Sequence, residues 1–240
     1  MDLHLIAAGT FTGDMFIAAG LDAFPRFEGR VLAAVDALDS LYPVSLSLES
    51  HADYEASGRR LTIEPFDKYF GRIPFAFADG AANWNSIHQR LDDARISSRT
   101  RIHARKIFEF VCAAESQRQR VSPGQVVFEE PAGWKTLAQV AGAAALIEAL
   151  EPARWSASPV AAGGADVAGG AIIEYLCPAS ARSQPIPRTR LARSGAGYGA
   201  DSGSVVRLLC FEAGESADIS ERGAGHPERP ASAVGEQPNH

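Results

Sequence analysis

The sequence predicts an α+β fold, a mixed β-sheet covered by amphipathic helices within a single main domain. Three observations carry that prediction. "LHLIAA" near the start is a short apolar run of buried-strand type, and "VSLSLES" alternates strictly between apolar and polar residues. Several long segments instead repeat their apolar residues at helical spacing. The chain has 240 residues, 46% of them hydrophobic, which is enough to bury one sizeable core.

In chain order, "LHLIAA" is the first strand and "GTFTGD" the turn that feeds a helix. Ile17, Leu21 and Phe24 share one face of that helix, which Pro25 ends. A second helix is predicted across "RVLAAVDALDSL". "VSLSLES" and "GRRLTIEPF" read as paired strands, and residues 68–85, rich in glycine, alanine and aromatics without a period, as a long loop. "NSIHQRLDDARI" is a short helix with Asn85 or Ser86 as its cap. The segment 97–120 is a longer helix with Ala104, Ile107, Phe108 and Val111 on one stripe. Leu137, Val140, Ala141, Ala144 and Ile147 mark another helix after Trp134, whose small residues suit close packing. From Trp155 onward the texture reads as short strands and glycine turns. Residues 1–214 form the predicted domain. Residues 215–240, polar and nearly free of large apolar side chains, read as a disordered tail.

Composition narrows the function classes. Twenty-three Lys and Arg against 29 Asp and Glu give a formal charge of -6, which argues against nucleic acid as the main partner. The arginine-rich stretch "RSQPIPRTRLAR" contains no aromatic residue on which a base could stack. No apolar stretch approaches the roughly 20 residues that span a bilayer, so no membrane role is expected. Cys112, Cys177 and Cys210 are widely spaced and odd in number, as in a reducing compartment, and form no zinc motif. No leader pattern precedes the first strand, and the expected location is cytoplasmic.

Four features bear on chemistry. In "GTFTGD", Thr12 and Gly13 lie in a turn that points backbone N–H groups at an anion, while Asp14 calls for a bridging metal there. Equally, Thr10 or Thr12 caps the helix and Asp14 favours its positive end. Gly195, Gly197 and Gly199 alternate like a dinucleotide fingerprint, but "SVVRLLCF" after them is strand-like, so they read as permitting tight backbone conformations before a last strand. His88 and His103 read as solvated or capping residues, with ligation alongside a distant carboxylate as the alternative. Glu129 and Glu130 stand before a Trp-led helix. They are hard oxygen ligands for Mg²⁺, Mn²⁺ or, less well, Ni²⁺; they also interact favourably with the helix dipole, by roughly 0.3–1 kcal/mol.

The order of "GDMFIAAGLDA", "IFEFVCAAES", "VFEEPAGWKTLAQVAGAAALIEAL", "SPVAAGG" and "GAGYGADSGSVVRLLCFE" resembles the LarC family of nickel insertion proteins, from about residue 3 to residue 212. The resemblance implies nickel insertion into a pyridinium-3,5-bisthiocarboxylic acid mononucleotide, which makes the nickel-pincer cofactor of lactate racemase and related enzymes. It implies a CTP-dependent, lyase-type reaction, with CTP and Mg or Mn handled by a second domain that a partner would supply here. On the central motif, Phe128, Glu130 and Gly142 match; Val127 and Glu129 take two histidine positions, and Lys135 and Gln139 two aspartate positions. Ile6 stands where the first strand usually has an aspartate, and Asp14 is kept. The resemblance therefore points to Asp14, Glu129 and Glu130 as metal residues and to Thr12 and Gly13 as a cofactor-binding loop. The substitutions remove transition-metal ligands and add a cation, so the competing expectation is a non-catalytic paralogue, a pseudoenzyme acting as a binding or assembly module.

Overall fold

The first strand, β1 (Asp2–Ala8), lies inside the sheet, because Leu3 and Leu5 are both buried and its two neighbours take up its backbone groups. A computed structural model describes residues 1–38, 44–52, 57–65, 82–128, 132–160, 164–200 and 203–212 of the chain. The elements after β1 are α1 (Gly13–Ala23), α2 (Glu28–Asp36), β2 (Val44–Ala52), β3 (Ser57–Pro65), β4 (Ala82–Asn83), α3 (Trp84–Asp93) and α4 (Ser98–Gln119). They continue with β5 (Val127–Phe128), α5 (Ala132–Leu150), β6 (Arg154–Ala157), α6 (Val167–Leu176), β7 (Leu191–Tyr198) and β8 (Val205–Phe211). Among the described residues, no helix is long and apolar enough to cross a membrane.

Six strands form one sheet in the order β2-β3-β7-β8-β1-β6, and β4 pairs with β5 separately. The sheet is mixed: β1 runs parallel to β6 and β3 parallel to β7, while the other pairs are antiparallel. The α+β class is therefore as the patterning predicts, and "VSLSLES" pairs with "GRRLTIEPF" as expected.

Helix α1 lies across β7, β3 and β8. That contact needs glycine. A Cβ on Gly195 would run into the backbone of Ala19 and Ala23, and one on Gly197 into the carbonyl of Met15. Gly195 and Gly197 sit within β7, where the sequence reading had them permit tight backbone conformations before the last strand. Their use is close approach of a helix to the sheet. Behind α1, α5 is buried along its length: Leu137, Val140, Ala141, Ala144 and Ile147 are at most 3% exposed, as their spacing predicts. Gly20 of α1 meets Leu146 of α5, so the small residues set this spacing too. Helix α4 buries Ala104, Ile107, Phe108 and Val111 against the same core.

Three other expectations are revised. Helix α6 occupies a stretch read as short strands and turns, because Asp166 caps it and Ala168, Ile172 and Ile173 face the core. Its two early glycines masked the helical period, and Gly169 is where the carbonyl of Phe11 approaches. The cap of α3 is Asn83, whose side chain accepts from Ser86 N–H at 3.0 Å while Ser86 Oγ reciprocates at Asn83 N–H. Ala82 and Asn83, expected within a loop, form β4; residues 68–81 of that loop lie outside the described residues, as does the predicted tail, 215–240.

Candidate functional site at two helix N-termini

The turn "GTFTGD" joins β1 to α1 and brings Thr12, Gly13 and Asp14 to the helix start. Thr12 is the N-cap: its hydroxyl accepts from Met15 N–H at 3.4 Å and donates to Asp14 Oδ1. Asp14 Oδ1 also accepts from Met15 N–H at 3.1 Å. Gly13 is buried, and a Cβ there would stand 2.8 Å from Cβ of Gln139. The helix start is thus pressed onto α5, and only glycine permits it.

A second helix N-terminus lies beside the first. Phe11 N–H donates to the carbonyl of Gly164 at 2.6 Å, and Asp166 N–H to the carbonyl of Phe11 at 3.0 Å. This short parallel bridge holds the caps of α1 and α6 together. Asp166 Oδ1 accepts from Gly169 N–H at 2.6 Å.

Helix α5 supplies the other side chains. Lys135 Nζ lies 3.4 Å from Asp14 Oδ2, and Gln139 Nε2 donates to Asp166 Oδ2 at 3.4 Å. Four residues apart, Lys135 and Gln139 project from one face of α5, each meeting one carboxylate. Burial pushes the pKa of Asp166 up, and the Asp14 carboxylate adds to the rise; Gly169 N–H, Gln139 and the Lys135 charge oppose it. Two carboxylates face one ammonium and two helix starts worth roughly +0.5 charge each. The cluster is close to electrically balanced as it stands.

The structure thus brings Thr12, Gly13 and Asp14 together with three residues not predicted as site members: Lys135, Gln139 and Asp166. Asp166 left a legible signal, an aspartate directly before the apolar stretch "VAGGAII". Glu129 and Glu130 lie outside the described residues. Among the described residues, no group of three or more His, Cys, Asp or Glu side chains is arranged to hold a metal.

Three of the histidines, His103, His88 and His4, serve packing. His103, expected to be solvated or capping, is buried between Tyr175 Oη at 2.6 Å and Glu151 Oε1 at 3.1 Å, tying α4 to α6 and to the end of α5. His88 packs on Trp84, ring centroids 4.1 Å apart, and its buried Nε2 makes no hydrogen bond among the described residues. His4, fully buried, bonds Ser156 Oγ at 2.8 Å and Ser158 Oγ at 2.9 Å, and burial lowers its pKa. All three cysteines are free and buried; burial pushes the Cys177 thiol up to about 11.

The fold and site define an α+β domain whose polar cluster sits where two strand-to-helix turns meet. The chain belongs to the nickel insertion protein family, whose match covers residues 6–182 and so includes every member of this cluster. No solved structure matches the chain.

Proposed function

We propose that this chain serves nickel-pincer cofactor biosynthesis as a LarC-type nickel insertion protein. Its substrates are nickel and the pyridinium bis-thiocarboxylate mononucleotide, and a CTP-binding partner completes the reaction. Family membership over residues 6–182 is the observation that carries this reading. In it, Glu129 and Glu130 are the hard oxygen ligands that receive nickel in transit. Thr12 and Gly13 shape the loop at the start of α1. Asp14 joins the metal set by exchanging its Lys135 partner for nickel.

The Lys135–Asp14 ion pair favours a second reading, a binding or assembly paralogue without metal chemistry. An ammonium beside the carboxylate opposes entry of a divalent cation by charge repulsion. The neutral Gln139 amide beside Asp166 adds no anionic ligand.

Nickel retention separates the two. The purified chain, loaded with Ni²⁺ and desalted, is expected to retain metal above an unrelated acidic control, and Glu130→Gln to lower retention at least about tenfold, a loss of roughly 1.4 kcal/mol. Retention no better than the control would leave the paralogue reading.

A further inference from the structure

A cavity of about 400 Å³ lies between the end of β6, the body of α6 and the backbone that returns after α6. That returning segment is fixed in place. Ala157 N–H donates to the carbonyl of Ala181 at 3.1 Å, Gln184 N–H donates to the carbonyl of Ala157 at 3.0 Å, and Arg182 bridges Ala157 in parallel. The cavity therefore opens beyond the carboxyl ends of the parallel pair β1 and β6, a usual place for ligands in parallel sheet arrangements. Its volume is that of a small-molecule site.

The described lining divides into two chemistries. Arg182, Ser158 and Ser183 are polar, whereas Pro159, Val160 and Ile173 are apolar. Among the described residues, Arg182 has one ion-pair contact, to Glu174 Oε1 at 3.8 Å, long beside the roughly 2.7–2.9 Å of a charge-assisted hydrogen bond. Its guanidinium is thus loosely paired next to a cavity. Ser158 is positioned by fully buried His4, itself held by Ser156, so the hydroxyl has a fixed support. Ser183 takes a left-handed φ of 64°, turning the chain directly after Arg182.

We propose that this cavity binds an aromatic mononucleotide, with the Arg182 guanidinium paired to its phosphate, the Ser158 hydroxyl bonded to the same group, and Pro159, Val160 and Ile173 against its ring. A planar guanidinium fork matches phosphate geometry, and an apolar wall beside it suits a flat heterocycle. Ala165, which also lines the cavity, bridges Phe11 and precedes Asp166, so a ligand held here lies next to the cluster at the two helix starts. The assignment rests on the proposed function in taking a pyridinium mononucleotide as the substrate class. Glu174 opposes an anion, so removing its charge is expected to strengthen binding.

Calorimetric titration of the full chain with nicotinate mononucleotide, inorganic phosphate and the thiolated pyridinium mononucleotide tests it. Both nucleotides are expected to bind more tightly than phosphate, to lose about tenfold or more in Arg182→Ala, and to gain in Glu174→Gln. The melting temperature without ligand should stay unchanged in Arg182→Ala, since that side chain is 40% exposed. Equal affinity of wild type and Arg182→Ala for the thiolated nucleotide would overturn the site and leave the proposed function standing. Arg182-dependent binding of nicotinate mononucleotide, with none of the thiolated compound, would uphold the site and count against the proposed function. Binding of neither nucleotide would overturn the site.

Discussion

Lys135 decides what the cluster at the two helix starts can do, because its ammonium already lies 3.4 Å from Asp14. Replacing Lys135 and Gln139 together by aspartate would place two more carboxylates beside Asp14 and Asp166. The double variant is expected to bind Ni²⁺ at least about tenfold more tightly than wild type in competition with a chromophoric chelator. Unchanged affinity would show that Lys135 does not govern cation entry. Asp166 gives a pH test. Its carboxyl is raised in the fold from an ordinary value of 3.8, chiefly by burial. A raised acid contributes stability that is full below pH 3.8 and lost as pH climbs through the folded value. Asp166→Asn keeps a capping side chain and removes the charge, so urea unfolding should find it at least as stable as wild type at pH 7, with the difference closing toward pH 3.8. Asp166→Ala, which also loses the cap, should be about 1 kcal/mol less stable than Asp166→Asn throughout. The turn that carries Thr12, Gly13 and Asp14 was legible in the sequence because a strand, a glycine turn and a helix are local features. The pairing of Asp14 with Lys135 was not, because it depends on how α1 and α5 pack across 121 residues of chain.

At the scale of elements, the strands and the long helices were legible because their apolar periods are strong, as in the alternation of β2 and the buried stripes of α4 and α5. Helix α6 was not. Gly169 and Gly170 interrupt its period and invite a turn reading, yet the Asp166 cap and its packing against α4, α5 and α1 override weak intrinsic propensity. The glycines of β7 carry a similar lesson: their spacing suggested backbone freedom, while their role is to let α1 lie on the sheet. Gly197→Ala is therefore expected to destabilise the fold by about 3 kcal/mol, at the upper end of overpacking costs, because the clash is with backbone that cannot rotate away. Gly29→Ala, in α2 with nothing near its Cβ position, should instead stabilise by about 0.5–1 kcal/mol. Denaturant melts of the pair check both; a neutral Gly197→Ala would mean that α1 does not seat on β7 this closely.

Among the described residues, α1 lies across a six-stranded mixed sheet with α5 behind it, and the polar cluster and the Arg182 cavity both lie in the region beyond β1 and β6. The balanced cluster and the Arg182 cavity adjoin there through Ala165. Under the proposed function, this region would hold the nucleotide substrate, with Glu129 and Glu130 receiving nickel and a partner handling CTP. The most direct measurement is mass spectrometry of a reaction containing the full chain, the CTP-binding partner, CTP, Mg²⁺, Ni²⁺ and the thiolated pyridinium mononucleotide. A nickel-bearing nucleotide is expected, absent when this chain is omitted and reduced at least about tenfold with Glu130→Gln. The same yield with and without the chain, or no product alongside a partner known to be folded and CTP-bound, would contradict the proposed function.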